Sequence, residues 1–197
     1  VDPLAKELMT AEEYEAVQGY ILKGARFFEP DLDTSGLTDK EIVRLLVNKH
    51  IAPSPLCRAA YTESLLKNIA QTGIAQYVIL GAGMDTFAFR EKEFVSEHRV
   101  YEVDHPLTQK DKQARIARAG WRIPENLTFV PVDFAKDRLS ERLVACGFDK
   151  RNETLFSWLG VTYYLSAEAI DRTLSEIADL SAEGSALVFD CPDEGFF

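Results

Sequence analysis

Apolar residues follow two different periods along this chain, and the change falls near position 75. Before it, Thr10-Ala-Glu-Glu13 and Thr38-Asp-Lys-Glu41 each set a hydroxyl three residues ahead of a carboxylate, the reciprocal arrangement that satisfies free N–H groups at a helix start. The spacing predicts one helix to about Lys23, with Val17 and Ile21 inward, and a second to about Lys49, with Ile42, Leu45 and Leu46 inward. Ser54-Pro55 supplies an N-cap and a first-turn proline for a third helix that closes near Gly73. Beyond position 75, short β-branched runs alternate with helical stretches. They predict strands at 76–80, 99–103, 127–132, 154–158 and 186–190. Pro106 suits the first turn after the second strand, and Ile170, Leu174 and Ile177 form the apolar stripe of the helix before the fifth.

This alternation predicts an α/β fold with a doubly wound parallel sheet. Right-handed crossovers set the strand order 3-2-1-4-5, with helices on both faces and a switch point between the first and fourth strands. A helical extension (1–74) then precedes a ligand-binding core (75–197) within one structural domain. The 197 residues are 46% hydrophobic and 11% aromatic, enough for a packed core and incompatible with a disordered chain. With 32 Asp and Glu against 22 Lys and Arg, the net charge of -10 disfavours nucleic acid and anionic membranes as partners and points to a small-molecule substrate. Cys57, Cys146 and Cys191 form no C-x-x-C pair, and His50, His98 and His105 are scattered, so no metal site is expected. The longest apolar run, near 76–83, is far shorter than a membrane span, and neither a membrane span nor a signal peptide is expected. A cytoplasmic setting is the expectation.

Candidate chemistry gathers at predicted strand ends. Gly81-Ala-Gly83-Met-Asp85-Thr86 follows the first strand, where a backbone free of Cβ atoms can approach a ligand. A dinucleotide fingerprint wants a third glycine at Thr86, which disfavours NAD; a tight turn without a ligand is the plainer alternative. Glu102 and Asp104 end the second strand about twenty residues on, where a carboxylate can accept from both ribose hydroxyls. Equally, Asp104 can be an N-cap and Glu102 a buried or paired acid. Asp133 ends the third strand, placed to accept from an adenine amino group with Phe134 packing on the ring, although a lone strand-end Asp is usually a turn residue.

Taken together, the strings Ile79-Leu-Gly-Ala-Gly-Met-Asp-Thr86, Tyr101-Glu-Val-Asp-His-Pro106, Val132-Asp133 and Trp158-Leu-Gly-Val-Thr-Tyr-Tyr-Leu165 resemble the leucine carboxyl methyltransferase family. The similarity covers roughly 52–190. It implies a Rossmann-like fold that binds S-adenosyl-L-methionine (SAM), with further strands beyond the fifth and hence further polypeptide. It also implies that Gly81 and Gly83 pass the methionine part, Asp104 takes the ribose, and Asp133 with Phe134 takes the adenine. Arg58 matches a family position that grips the cofactor's carboxylate, a task suited to a planar bidentate donor. Trp158, Tyr163 and Tyr164 lie where substrate should approach, with core packing the alternative for Trp158. Phosphatase-modifying members often carry Glu where this chain has Leu159, so the expected activity is O-methylation of a small carboxylic acid, as in the bacterial polyketide branch. No catalytic residue is named, because an ionised carboxylate needs no general base. A phenolic acceptor, a protein C-terminus, a non-catalytic SAM-binding protein and an NAD-dependent oxidoreductase are the competing expectations.

Overall fold

The computed structural model describes residues 2–71 and 73–191. Its centre is a five-stranded sheet of β1 Gln76–Leu80, β2 Arg99–Asp104, β3 Leu127–Pro131, β4 Thr154–Trp158 and β5 Ala186–Phe189, in the order β3-β2-β1-β4-β5. Every pairing is parallel, with Leu80 opposite Val103 on one side and Trp158 on the other. The expected order and direction are therefore those observed. β1 and β4 are buried along their whole length, as strands covered on both faces must be.

Alternate residues feed two cores, because successive side chains leave a strand on opposite faces. Tyr77, Ile79, Val100 and Leu155 meet Leu66 of α4 (Pro53–Ala70), Phe87 of α5 (Phe87–Arg90), Val95 of α6 (Lys92–Glu97) and Ile116 of α7 (Pro106–Arg118). Val78, Leu80, Val103, Phe156 and Trp158 meet Leu139 and Leu143 of α8 (Leu139–Ala145) and Ile177 and Leu180 of α9 (Ala167–Leu180). The helices change face where the chain crosses from β3 to β4. The carboxyl ends of β1 and β4 thereby open as a crevice.

Both expected capping boxes are present, Thr10 with Glu13 at the start of α1 (Ala11–Lys23) and Thr38 with Glu41 at the start of α3 (Asp39–Leu46). Ile42 and Leu46 are buried as expected, and Leu45 is partly so. Helix α1 departs from expectation: it buries none of its residues, Val17 is exposed and Ile21 is only partly covered. Its main packing partners are α3 and the short α2 (Ala25–Phe28). The start of α4 also differs. The chain runs from α3 through a π-helical turn, Val47–Ile51, and α4 begins at Pro53 with Ala52 as an N-cap that lends no side-chain bond. Ser54 and Pro55 sit inside that first turn, where a missing N–H leaves no bond unmade.

The segment before α1 is tied to the sheet. Leu8 is 1% exposed, and its carbonyl accepts from Arg115 and Arg118 of α7. Glu13 takes two bonds from the Arg115 guanidinium, both 2.7 Å, which hold its carboxyl down at about 2. No helix among the described residues is long and apolar enough to cross a membrane.

Candidate active site

The glycine turn after β1 is built by its own backbone. Gly81 and Ala82 donate to the Val103 carbonyl at 2.7 and 3.1 Å, which docks the turn on the end of β2. Gly81 has φ +69°, and a Cβ there would lie 2.1 Å from Val161 Cγ2, so conformation and space both demand glycine. The Gly83 N–H donates to Asp104, whose other oxygen accepts from the His105 N–H at 2.6 Å. Asp104 thus joins the glycine turn to the entry of α7. The N-cap of α7 is His105, whose ring Nδ1 accepts from the Leu107 N–H at 3.3 Å, so the capping alternative for Asp104 does not apply.

At the end of β3, Asp133 accepts from the Ala135 N–H at 3.0 Å and Lys136 Nζ at 2.9 Å, and the lysine holds its carboxyl below the usual range. His105 Nε2 lies 3.9 Å from the same carboxylate, so the ends of β2 and β3 meet there. Phe134 is half-buried, its ring 6.2 Å from that of Trp158 and its carbonyl bonded by Arg172.

Two expected site residues lie inside the protein. Trp158 has no exposed surface, which makes it a core residue and removes it from direct contact with a substrate at this surface. Glu102 is 1% exposed and bonds Lys112 of α7 at 2.5 Å, the paired-acid alternative. Burial pushes its carboxyl up to about 7 against the pull of the lysine.

Sequence reasoning missed Asp190, just beyond β5. Its carboxylate accepts from Arg58 Nη1 at 2.6 Å, the Gly160 N–H at 2.6 Å and the Tyr163 hydroxyl at 3.2 Å, while its carbonyl accepts from Thr162 Oγ1 at 2.7 Å. Arg58 and Tyr163, expected in separate roles, meet on this one acid. Burial and then the Asp190 charge raise the Tyr163 phenol above its usual range, which keeps it protonated. The available signal was position: Asp190 closes its strand as Asp104 and Asp133 close theirs.

Between α4 and the glycine turn lies a cavity of about 340 Å³, lined by Arg58, Glu63, Tyr77, Gly81, Asp85 and Leu159 among others. A larger one, about 580 Å³, sits beside the loop leading into β3, between Phe89, Trp121 and Ile123. It belongs to the amino ends of the strands and contains none of the expected site residues. Among the described residues no group of three or more His, Cys, Asp or Glu is arranged to hold a metal ion.

A crevice at the carboxyl ends of a 3-2-1-4-5 parallel sheet, with a glycine turn bonded to an acid on the neighbouring strand, is the place where open α/β sheets bind ligands. The profile of the family described as "Leucine carboxyl methyltransferase" matches residues 1–178. The chain belongs to that family. YktD of Bacillus subtilis (strain 168), named "Putative S-adenosyl-L-methionine-dependent methyltransferase YktD", is 38% identical over 197 residues, which is 100% of this chain and 64% of YktD. A Mycobacterium marinum protein of the same description is 34% identical over 139 residues, 71% of this chain and 44% of its own length. The chain thus spans less than two thirds of these family members. A solved Thermobifida fusca YX structure shares the fold with TM-score 0.52 and 21% identity, over 89% of this chain and 67% of that one. A second, from Nostoc punctiforme PCC 73102, gives TM-score 0.50 and 10% identity over 97% and 54%.

Proposed function

We propose that this chain forms the cofactor-binding part of a SAM-dependent O-methyltransferase acting on a small carboxylic acid. The observation that carries the reading is the Gly83–Asp104 bond at adjoining strand ends, beside a cavity that Arg58 also lines, in a chain of this family. The residues present fit the cofactor. The glycine turn lines the cavity through Gly81, and Asp104, Asp133 and Phe134 follow one another along the strand ends in the order ribose, then adenine. Arg58 holds the carboxylate end, giving up its bond to Asp190 in exchange. When bound, SAM supplies a methyl carbon on a sulfonium, which an acceptor oxygen takes by in-line displacement, leaving the bonding electron pair on sulfur.

What remains for the protein is alignment and exclusion of water. Helix α4 forms one wall of the cavity and carries both Arg58 and Thr62, whose hydroxyl bonds the Arg58 carbonyl at 2.9 Å and steadies that turn of helix. Tyr163 stays protonated and acts as a donor, which suits an acceptor that arrives already ionised. Leu159 and the net charge of -10 both count against an acidic protein C-terminus as acceptor.

Calorimetric titration tests the binding. Wild-type protein takes up SAM, and Asp104→Ala weakens it by about 1.5 to 3 kcal/mol, the loss usual for hydrogen bonds to a charged group. Unchanged affinity in that variant removes Asp104 from the site.

A further inference from the structure

The cavity beside the glycine turn carries both signs of charge, Arg58 on one hand and Glu63 and Asp85 on the other. Glu63 is already matched, since Arg90 gives it two bonds at 2.7 and 3.4 Å. Asp85 is not. Its Oδ1 accepts from the Phe87 N–H at 2.6 Å, but Arg90 is committed to Glu63 and Lys112 to Glu102, and both act on Asp85 only through space. Burial holds the Asp85 carboxyl above the usual range, as for an acid short of a cation. Its charge is felt at the cavity wall: after burial, Asp85 is the largest cause of the rise in the Tyr77 phenol, which lines the same space and bonds Ser157 at 2.9 Å. Leu159, apolar, lines this cavity too. The free anion on the wall is therefore Asp85.

We infer that Asp85 receives the α-ammonium of the cofactor's amino-acid end while Arg58 receives its carboxylate, so that this cavity is a receptor for a zwitterionic α-amino acid group. The inference rests on the SAM reading above and adds to it a residue and a charge pattern. A partly buried carboxylate without a cation gains more from an arriving ammonium than a fully solvated or already paired one does. Glu63 is a positioning residue in this scheme, its bonds to Arg90 keeping a second negative charge from competing.

The test combines a ligand series with one substitution. Demethylated SAM, its analogue lacking the α-amino group, its analogue lacking the carboxylate, and methylthioadenosine, which lacks the whole amino-acid end, are titrated into wild type and Asp85→Asn. The amide oxygen of Asn can still accept from Phe87. In wild type, removal of the amino group weakens binding roughly tenfold to a hundredfold. In Asp85→Asn the same loss appears for demethylated SAM and for the carboxylate-free analogue, binding of methylthioadenosine is unchanged, and removal of the amino group has no further effect. Equal weakening of methylthioadenosine, or wild-type affinity for demethylated SAM in the variant, overturns the role of Asp85 and leaves the SAM site intact. Failure of wild type to bind any of the adenosine ligands overturns both. Should Asp85→Asn not fold, wild-type indifference to the amino group overturns the inference by itself.

Discussion

Glu102 and Lys112 are each 1% exposed and bonded to one another, and one carboxylate oxygen of Glu102 has no partner. Two charges removed from water recover their hydration only in part through one contact, so the pair is a cost the core carries as long as both are ionised. Glu102 rises from 4.5 to about 7 for this reason. Because its folded value lies above its ordinary one, the folded state binds the proton more tightly, and stability falls as pH rises from about 4.5 to 7 and is level above that. Glu13 and Asp149, held at about 2, act in a lower window, where stability is lost as pH falls. Urea unfolding against pH should show that decline in wild type and a flatter profile in Glu102→Gln. Above about pH 7, where the carboxylate is ionised, the same substitution strands the lysine charge, at about 3 to 5 kcal/mol, whereas Glu102→Met with Lys112→Met together returns to near wild-type stability or above. A Glu102→Gln single variant fully stable above about pH 8 contradicts this account. Gly81 offers a second test. Gly81→Ala meets both the +69° φ and the 2.1 Å approach to Val161, and adding Val161→Ala relieves the clash while leaving the backbone cost of about 1 kcal/mol. Melting temperatures of the two variants separate those contributions.

At the scale of elements, local chemistry decided more than expected in some places and less in others. Thr38 and Glu41 exchange bonds across the first turn of α3, at 3.4 Å from the Glu41 N–H to the hydroxyl and 2.8 Å from the Thr38 N–H to the carboxylate. Thr38→Ala should cost about 0.5 to 2 kcal/mol by denaturant unfolding, since α3 anchors Ile42 and Leu46 in the interior. No measurable loss would show that α3 is held by packing alone. Caps and strands were legible because their determinants sit within a few residues: a hydroxyl and an acid in one turn, or a β-branched run that both faces of the sheet will bury. The inward face of α1 was not legible from Val17 and Ile21, because periodicity reveals a stripe and not what covers it. The glycine turn and Asp104 could be paired beforehand, since strand ends in a parallel sheet lie side by side. Arg58 and Asp190 could not, since their contact spans 132 residues and depends on where α4 crosses the sheet. Glu102 and Trp158 were placed at the site by their nearness to strand ends, yet face α7 and the second core. A side chain's face along a strand flips with every residue, and the apolar pattern alone does not say which face a polar residue takes when both faces are buried.

Over the whole molecule, net charge bears on the acceptor proposed above. A chain of net charge -10 repels an acidic protein partner at long range, although salt screens this within about 8 Å at physiological ionic strength. A small carboxylate escapes most of that repulsion, and in the proposed scheme Arg58 serves the cofactor's carboxylate while the protonated Tyr163 hydroxyl donates to the acceptor. Leaving water makes a carboxylate a better nucleophile toward a sulfonium, and the two charges cancel in the products. With a protein that includes the full length typical of its relatives, activity should stay flat with pH above the acceptor's own pKa, since no group on the enzyme has to lose a proton. A phenolic acceptor would instead show activity rising between about pH 7 and 10, through a base or the phenol itself. Incubation with methyl-labelled SAM and a panel of aromatic and aliphatic acids, followed by mild alkali, separates the two chemically. Label released as methanol identifies a carboxyl ester. Label that survives alkali on the product identifies an ether or an amine, and the carboxylate reading then fails even though the cofactor site stands.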